Sequence, residues 1–142
     1  MIDETLVKRI LEINKEGRNR ENFEKIIGPL RFLKEYCTIR VNLGRQLGHT
    51  TNFIQVLREN LTVYVFYKED FAEECRIKFK LEKRAVFTKR NYLKKFLDLF
   101  GPGFDMDYIL IDLGFLWSSK DEDKLYGFLA SKEIYPTIVF IG

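Results

Sequence analysis

Thr38-Ile39-Arg40-Val41-Asn42-Leu43 runs without a break into Gly44-Arg45-Gln46-Leu47-Gly48-His49-Thr50-Thr51. The first six residues alternate and are rich in β-branched side chains, the pattern of a short strand. After the second stretch, Phe53, Ile54, Val56 and Leu57 mark one face of a helix reaching about Asn60. Strand, glycine-bounded loop and helix is therefore the local order, and alternation of this kind recurs along the chain. Residues 61–67 (LTVYVFY) form the clearest strand, too continuous for an edge facing water on both sides. Residues 85–87, 108–112 and 137–141 read as three more. Helical patterns lie between them at 72–79, at 92–100 and at 124–130. In the second of these Tyr92, Leu93, Phe96, Leu97 and Phe100 make the apolar stripe, with Thr88 as its cap and Gly101-Pro102-Gly103 as its stop. Upstream, 3–16 is an amphipathic helix ended by Gly17. A second helix within 23–36 is either bent or started late by Gly28-Pro29. The expected fold class is α/β, a three-layer domain over 1–142 with a mainly parallel five-stranded sheet and 1–36 packed on it as a helical segment.

Composition narrows the field. The 142 residues are 46% hydrophobic, 32% charged and 15% aromatic with only 3 prolines, which excludes collagen, coiled coil and wholesale disorder. No window approaches the roughly 18 apolar residues of a membrane span. Met1-Ile2-Asp3-Glu4 lacks the basic and then apolar regions of a signal peptide. Cys37 and Cys75 are too few for a disulfide framework and, with His49 as the single histidine, too few for a structural zinc site. A reduced, cytoplasmic setting without zinc, disulfide or membrane partner is the expectation.

The net charge of +3 hides two blocks of opposite sign. Residues 76–95 carry Arg76, Lys78, Lys80, Lys83, Arg84, Lys89, Arg90, Lys94 and Lys95 against Glu82 alone. Residues 98–123 carry Asp98, Asp105, Asp107, Asp112, Asp121, Glu122 and Asp123 against Lys120 alone. Lysines and arginines interleaved with Phe79, Phe87, Tyr92 and Phe96 make the first block a nucleic-acid candidate through Lys78, Lys80, Lys83, Arg84, Lys89, Arg90, Lys94 and Lys95. The plainer reading is a solvated basic face, because Tyr92 and Phe96 fall on the buried stripe.

The Gly44–Thr51 loop carries the chemistry. Glycines let a backbone wrap an anion, and the N–H groups of loop and helix start point inward at it. The usual pattern is G-x-x-x-x-G-K-[ST], with the lysine on the outer phosphates and the hydroxyl on Mg²⁺. Gly48 and Thr50 fit its closing half, Gly44 stands one place late, and His49 takes the lysine position. The alternative is a glycine-containing turn that binds nothing.

Residues 42–51 resemble the Walker A segment of tailed-phage terminase large subunits, which commonly reads S-R-Q-x-G-K-[ST] and likewise lacks the first glycine. In that family the loop arginine acts in cis on the γ-phosphate, a role the resemblance implies for Arg45. Residues 108–112 resemble the Walker B strand, with Asp112 as the magnesium carboxylate, and 137–142 resemble the later strand that couples hydrolysis to movement. The likeness covers about 30–142 in order and spacing, and implies a RecA-like sheet of strand order 5-1-4-3-2. His49 replaces the lysine, and Leu113 stands where the family has the glutamate that positions water. No adenine-reading glutamine motif is evident in 22–36, and no nuclease domain follows. Loss of one preorganised donor costs about 2.7–4 kcal/mol, and loss of the glutamate removes water activation.

The expectation is a small, phage-encoded pseudo-ATPase in a DNA-related or regulatory role, binding Mg-ATP with little or no hydrolysis. Gly44, Arg45, Gln46, Gly48, His49, Thr50 and Thr51 would cradle phosphate, and Thr50 and Asp112 would hold Mg²⁺. Arg45 and Asp112 would be the catalytic pair if activity persists. A neutral imidazole gains charge below a pKa of about 6.5, so affinity through His49 should rise from pH 8 to pH 6. Two other classes stay open: an active ATPase of DNA packaging or remodelling that needs a partner or oligomer, and a ligand-free protein that binds a host factor or other partner.

Overall fold

The computed structural model describes residues 4–18, 27–41, 49–99 and 106–142. Five strands, β1 (Thr38–Val41), β2 (Thr62–Phe66), β3 (Val86–Thr88), β4 (Tyr108–Ile111) and β5 (Thr137–Ile141), form one sheet in which every pairing is parallel. Among the described residues these helices flank it: α1 (Glu4–Arg18), α2 (Pro29–Tyr36), α3 (His49–Leu57), α4 (Glu69–Lys78), α5 (Tyr92–Leu99) and α6 (Ser119–Lys132). Short 3₁₀ turns occupy Lys83–Ala85 and Gly114–Leu116.

The helices divide between the two faces, giving three layers. On one face Val7 and Leu11 of α1, Phe53, Ile54 and Leu57 of α3, and Ala72 and Cys75 of α4 cover Tyr64, Phe66, Leu110, Val139 and Ile141. On the other, Phe32 and Leu33 of α2, Phe96 of α5, and Leu125 and Leu129 of α6 cover Val63, Val65, Ile109, Ile111, Ile138 and Phe140. Alternate residues of each strand thus enter opposite cores, as the two-residue period of a strand requires. The N-terminal helices are split between the layers. Asn14 of α1 holds the ends together, donating to the Tyr36 carbonyl at 3.0 Å and accepting from the Thr137 hydroxyl at 3.3 Å.

The sheet order is β1-β5-β4-β2-β3. This corrects the expected 5-1-4-3-2, which gives strand 1 two neighbours. Side-chain chemistry accounts for the difference. All five residues of β5 and of β2 are buried, so both strands need cover on every side. β1 contributes an exposed Arg40, which pairs with Glu122, and suits an edge. β5 therefore sits between β1 and β4, and the three-residue β3 forms the other edge.

Local signals set the helix ends. Gly28, at φ 89°, adopts a conformation that favours glycine and hands the chain to Pro29 at the first turn of α2. α1 continues through Gly17 to Arg18. Two helices start earlier than their apolar periodicity predicts, α4 at Glu69 and α6 at Ser119. In α6 the cause is a capping box: the Ser118 hydroxyl accepts from the Asp121 N–H while the Asp121 carboxylate accepts from the Ser118 N–H. Thr88 does not cap α5. Its N–H instead donates to the Asn91 side chain at 3.1 Å, and the Asn91 carbonyl accepts from Lys95. The stop at 101–103 lies outside the described residues.

Candidate functional site

A parallel sheet brings the carboxyl ends of all its strands to one edge, and ligands of open α/β sheets gather there. Three backbone hydrogen bonds finish this edge: Asp112 N–H to Val65, Lys89 N–H to Phe66 and Gly142 N–H to Val41. Asp112 follows β4 directly. Its side chain lies on the face that carries α3, because it continues the alternation from Leu110, whose side chain enters that core.

Thr50 is the second residue of α3, and its hydroxyl donates to Asp112 Oδ1 at 2.8 Å. Sixty-two positions separate the two residues in the chain. Asp112 is only 6% exposed. Burial pushes its carboxyl above the usual aspartate range, opposed by the Thr50 hydroxyl and the Leu113 backbone N–H. The next residue, Leu113, takes the left-handed conformation (φ 52°, ψ 44°), costly for a residue with a branched side chain. Gly114 then lies against Phe140 so closely that an added Cβ would stand 2.9 Å from the Phe140 Cβ. The chain turns sharply away from Asp112 in consequence. Cys75 of α4 also feels the Asp112 charge. Its thiol is pushed up to about 11, first by burial and then by that carboxylate, and stays neutral. Cys37 is also buried.

The oxygen donors here suit a magnesium ion that also holds ligand phosphates. Mg²⁺ binds through one or two carboxylates, with waters and phosphate oxygens completing its octahedron. A carboxylate and a hydroxyl at hydrogen-bond distance are such a half-set. Among the described residues no group of three His, Cys, Asp or Glu side chains forms a self-sufficient metal cage. α3 begins at His49, so its first N–H groups face the same edge and favour an anion.

No protein-family model, curated protein or solved structure matches this chain. The residues themselves carry the argument. Of those singled out in the sequence, Thr50 and Asp112 come together, and Thr51 follows half-buried on α3. Gly44, Arg45, Gln46 and Gly48 lie outside the described residues, as does the side chain of His49.

The basic block does not form one patch. Lys80 and Arg84 line a cavity of about 690 Å³ at the amino edge, walled by Leu61, Val63, Phe79, Leu81, Ala85 and Met106. Lys89 and Arg90 lie past the carboxyl end of β3, in a separate cavity of about 430 Å³. Phe79, Phe87, Tyr92 and Phe96 are core residues, which removes base stacking on them. Sequence reading also missed Tyr67, Asp121 and Lys124, which join Lys89 and Arg90 in the smaller cavity. Tyr67 follows β2 while Asp121 and Lys124 lie on α6, so no linear pattern groups them. No described helix is long and apolar enough to cross a membrane.

Proposed function

We propose that the chain is a P-loop-type protein that binds a magnesium-complexed nucleotide through its phosphates at the carboxyl edge of the sheet, with little or no hydrolysis. The observation that carries this reading is the Thr50–Asp112 hydrogen bond. It joins the hydroxyl expected to hold Mg²⁺ to the carboxylate expected to share it, from elements far apart in sequence. An all-parallel sheet, a helix start at His49 and the burial of Asp112 support the same reading. In it residues 44–51 wrap the phosphates, and Arg45 and His49 supply positive charge beside them. Bound magnesium would neutralise phosphate charge, while Thr50 and Asp112 hold its protein side. Leu113 has no group that can orient water, which is the reason to expect slow turnover. A role in handling DNA, or in regulation, extends the reading through the terminase-like loop.

Calorimetry with Mg-ATP at pH 6 and pH 8, on the wild type and His49→Lys, tests the proposal. Affinity should strengthen toward pH 6 in the wild type, and the lysine variant should bind more tightly at pH 8. Absence of heat at both pH values, in protein shown to be folded, overturns it. Rapid phosphate release that Asp112→Ala abolishes would replace it with an active ATPase.

A further inference from the structure

We infer that the cavity at the carboxyl ends of β2 and β3 is a second ligand site, shaped for one nucleotide unit and separate from Thr50 and Asp112. Tyr67 follows β2, Lys89 and Arg90 follow β3, Tyr92 and Leu93 open α5, and Asp121 and Lys124 lie in the first turns of α6. The cavity of about 430 Å³ falls within the size range of small-ligand sites. Three cations converge on it against one carboxylate. That carboxylate is already engaged: Asp121 accepts from the Ser118 N–H at 2.9 Å and pairs with Lys89 Nζ at 2.9 Å. Among the described residues Arg90 and Lys124 carry no ion pair, and both are exposed. An anion entering here meets two uncommitted charges, with Lys89 fixed behind them.

An aromatic surface stands beside the charges. Tyr67 is 40% exposed, and Lys89 Nζ lies over one face of its ring, 5.6 Å from the centroid, which leaves the other face for a base. A flat ring set next to a cluster of phosphate-binding cations matches the two halves of a nucleotide, because any base can stack on an aromatic face while its phosphate meets lysine and arginine. Arg90 adds a planar fork for two phosphate oxygens. The opposite edge offers a contrast. There Lys80 and Arg84 surround apolar walls, and Arg84 is paired with Glu82.

The chemistry could be met by a free nucleotide or by one unit of a single strand, so the test has two arms. Thymidine 5′-monophosphate and a fluorescent tetrathymidylate are titrated into the full chain with EDTA present, which removes any magnesium-dependent binding at Asp112. Trp117, the single tryptophan, reports occupancy because its ring lies 5.3 Å from that of Tyr92 in the cavity wall. At least one probe should bind. Arg90→Gln with Lys124→Gln should weaken that binding at least tenfold, and Tyr67→Ala at least fivefold, with Tyr67→Phe close to wild type. Lys78→Gln with Lys83→Gln should change nothing. Tetrathymidylate affinity should fall with salt, with a log–log slope of about −0.7 per phosphate contacted. Binding of the monophosphate alone supports a free-nucleotide site, and binding of both supports a strand unit. No binding at millimolar probe, or equal loss with the Lys78/Lys83 variant, overturns the inference and leaves the magnesium–nucleotide proposal standing.

Discussion

Asp112 and Asp121 stand at the two ends of one short connection, in opposite surroundings. Asp121 is held by the Ser118 N–H and by Lys89, and these contacts pull its carboxyl down to about 2. Asp112 is buried, and burial outweighs its two hydrogen bonds, so its carboxyl titrates above the usual range. The first carboxylate strengthens the fold by being charged. For the second, burial makes the charged form the costly one. Position in the sheet explains the contrast: Asp112 ends an inner strand under α3, whereas Asp121 sits in the first turn of an outer helix, where a carboxylate suits the helix dipole.

Gly114→Ala should disturb this pair of regions most. The new methyl would meet the Phe140 Cβ at 2.9 Å and the Phe140 backbone Cα at 3.3 Å, displacing the turn that separates the two aspartates. Overpacking of this kind costs about 1–3 kcal/mol, readable as a lower denaturant midpoint. Ser118→Ala removes one half of the capping box and should cost about 1 kcal/mol, leaving the proposed magnesium–nucleotide binding unchanged. The smallest effect is a difference in pH dependence. For Asp121 the lowered pKa gives stability that is present above about pH 4 and is lost as pH falls toward 2. For Asp112 the raised pKa gives the reverse, stability that declines as pH rises from the ordinary aspartate range through its folded value. Urea melts between pH 2 and pH 8 on the wild type, Asp112→Asn and Asp121→Asn should show each variant losing only its own slope.

Strands were the most legible part of the fold. Within LTVYVFY the residues Thr62–Phe66, and the whole of TIVFI, became fully buried strands, while Leu61 and Tyr67 stayed exposed. Neighbour relations were not legible, since periodicity says which face of a strand is wet but not which strand lies beside it. The exposed Arg40 was the available sign that β1 is an edge, and it was outweighed by the likeness of the following loop to a known arrangement. At the site, Thr50 and Asp112 could be named because a hydroxyl after a glycine loop and a carboxylate at a strand end are recognisable residue types in place. The smaller cavity could not, because its walls come from two strand ends and two helices far apart in the chain. The basic block misled for a geometric reason: a strand advances about 3.3 Å per residue, so β3 carries Arg84 and Lys89 to opposite edges of the sheet.

The central claim is that Thr50 and Asp112 jointly hold the magnesium of a bound nucleotide. Its sharpest test is titration of ATP by calorimetry, with Mg²⁺ and with EDTA, into the wild type, Thr50→Val and Asp112→Asn, each checked for folding. The wild type should bind at least tenfold more tightly with Mg²⁺, about 1.4 kcal/mol, and each variant should lose that increment while keeping the magnesium-free affinity. An increment that survives both substitutions, or a wild type indifferent to Mg²⁺, would contradict the claim.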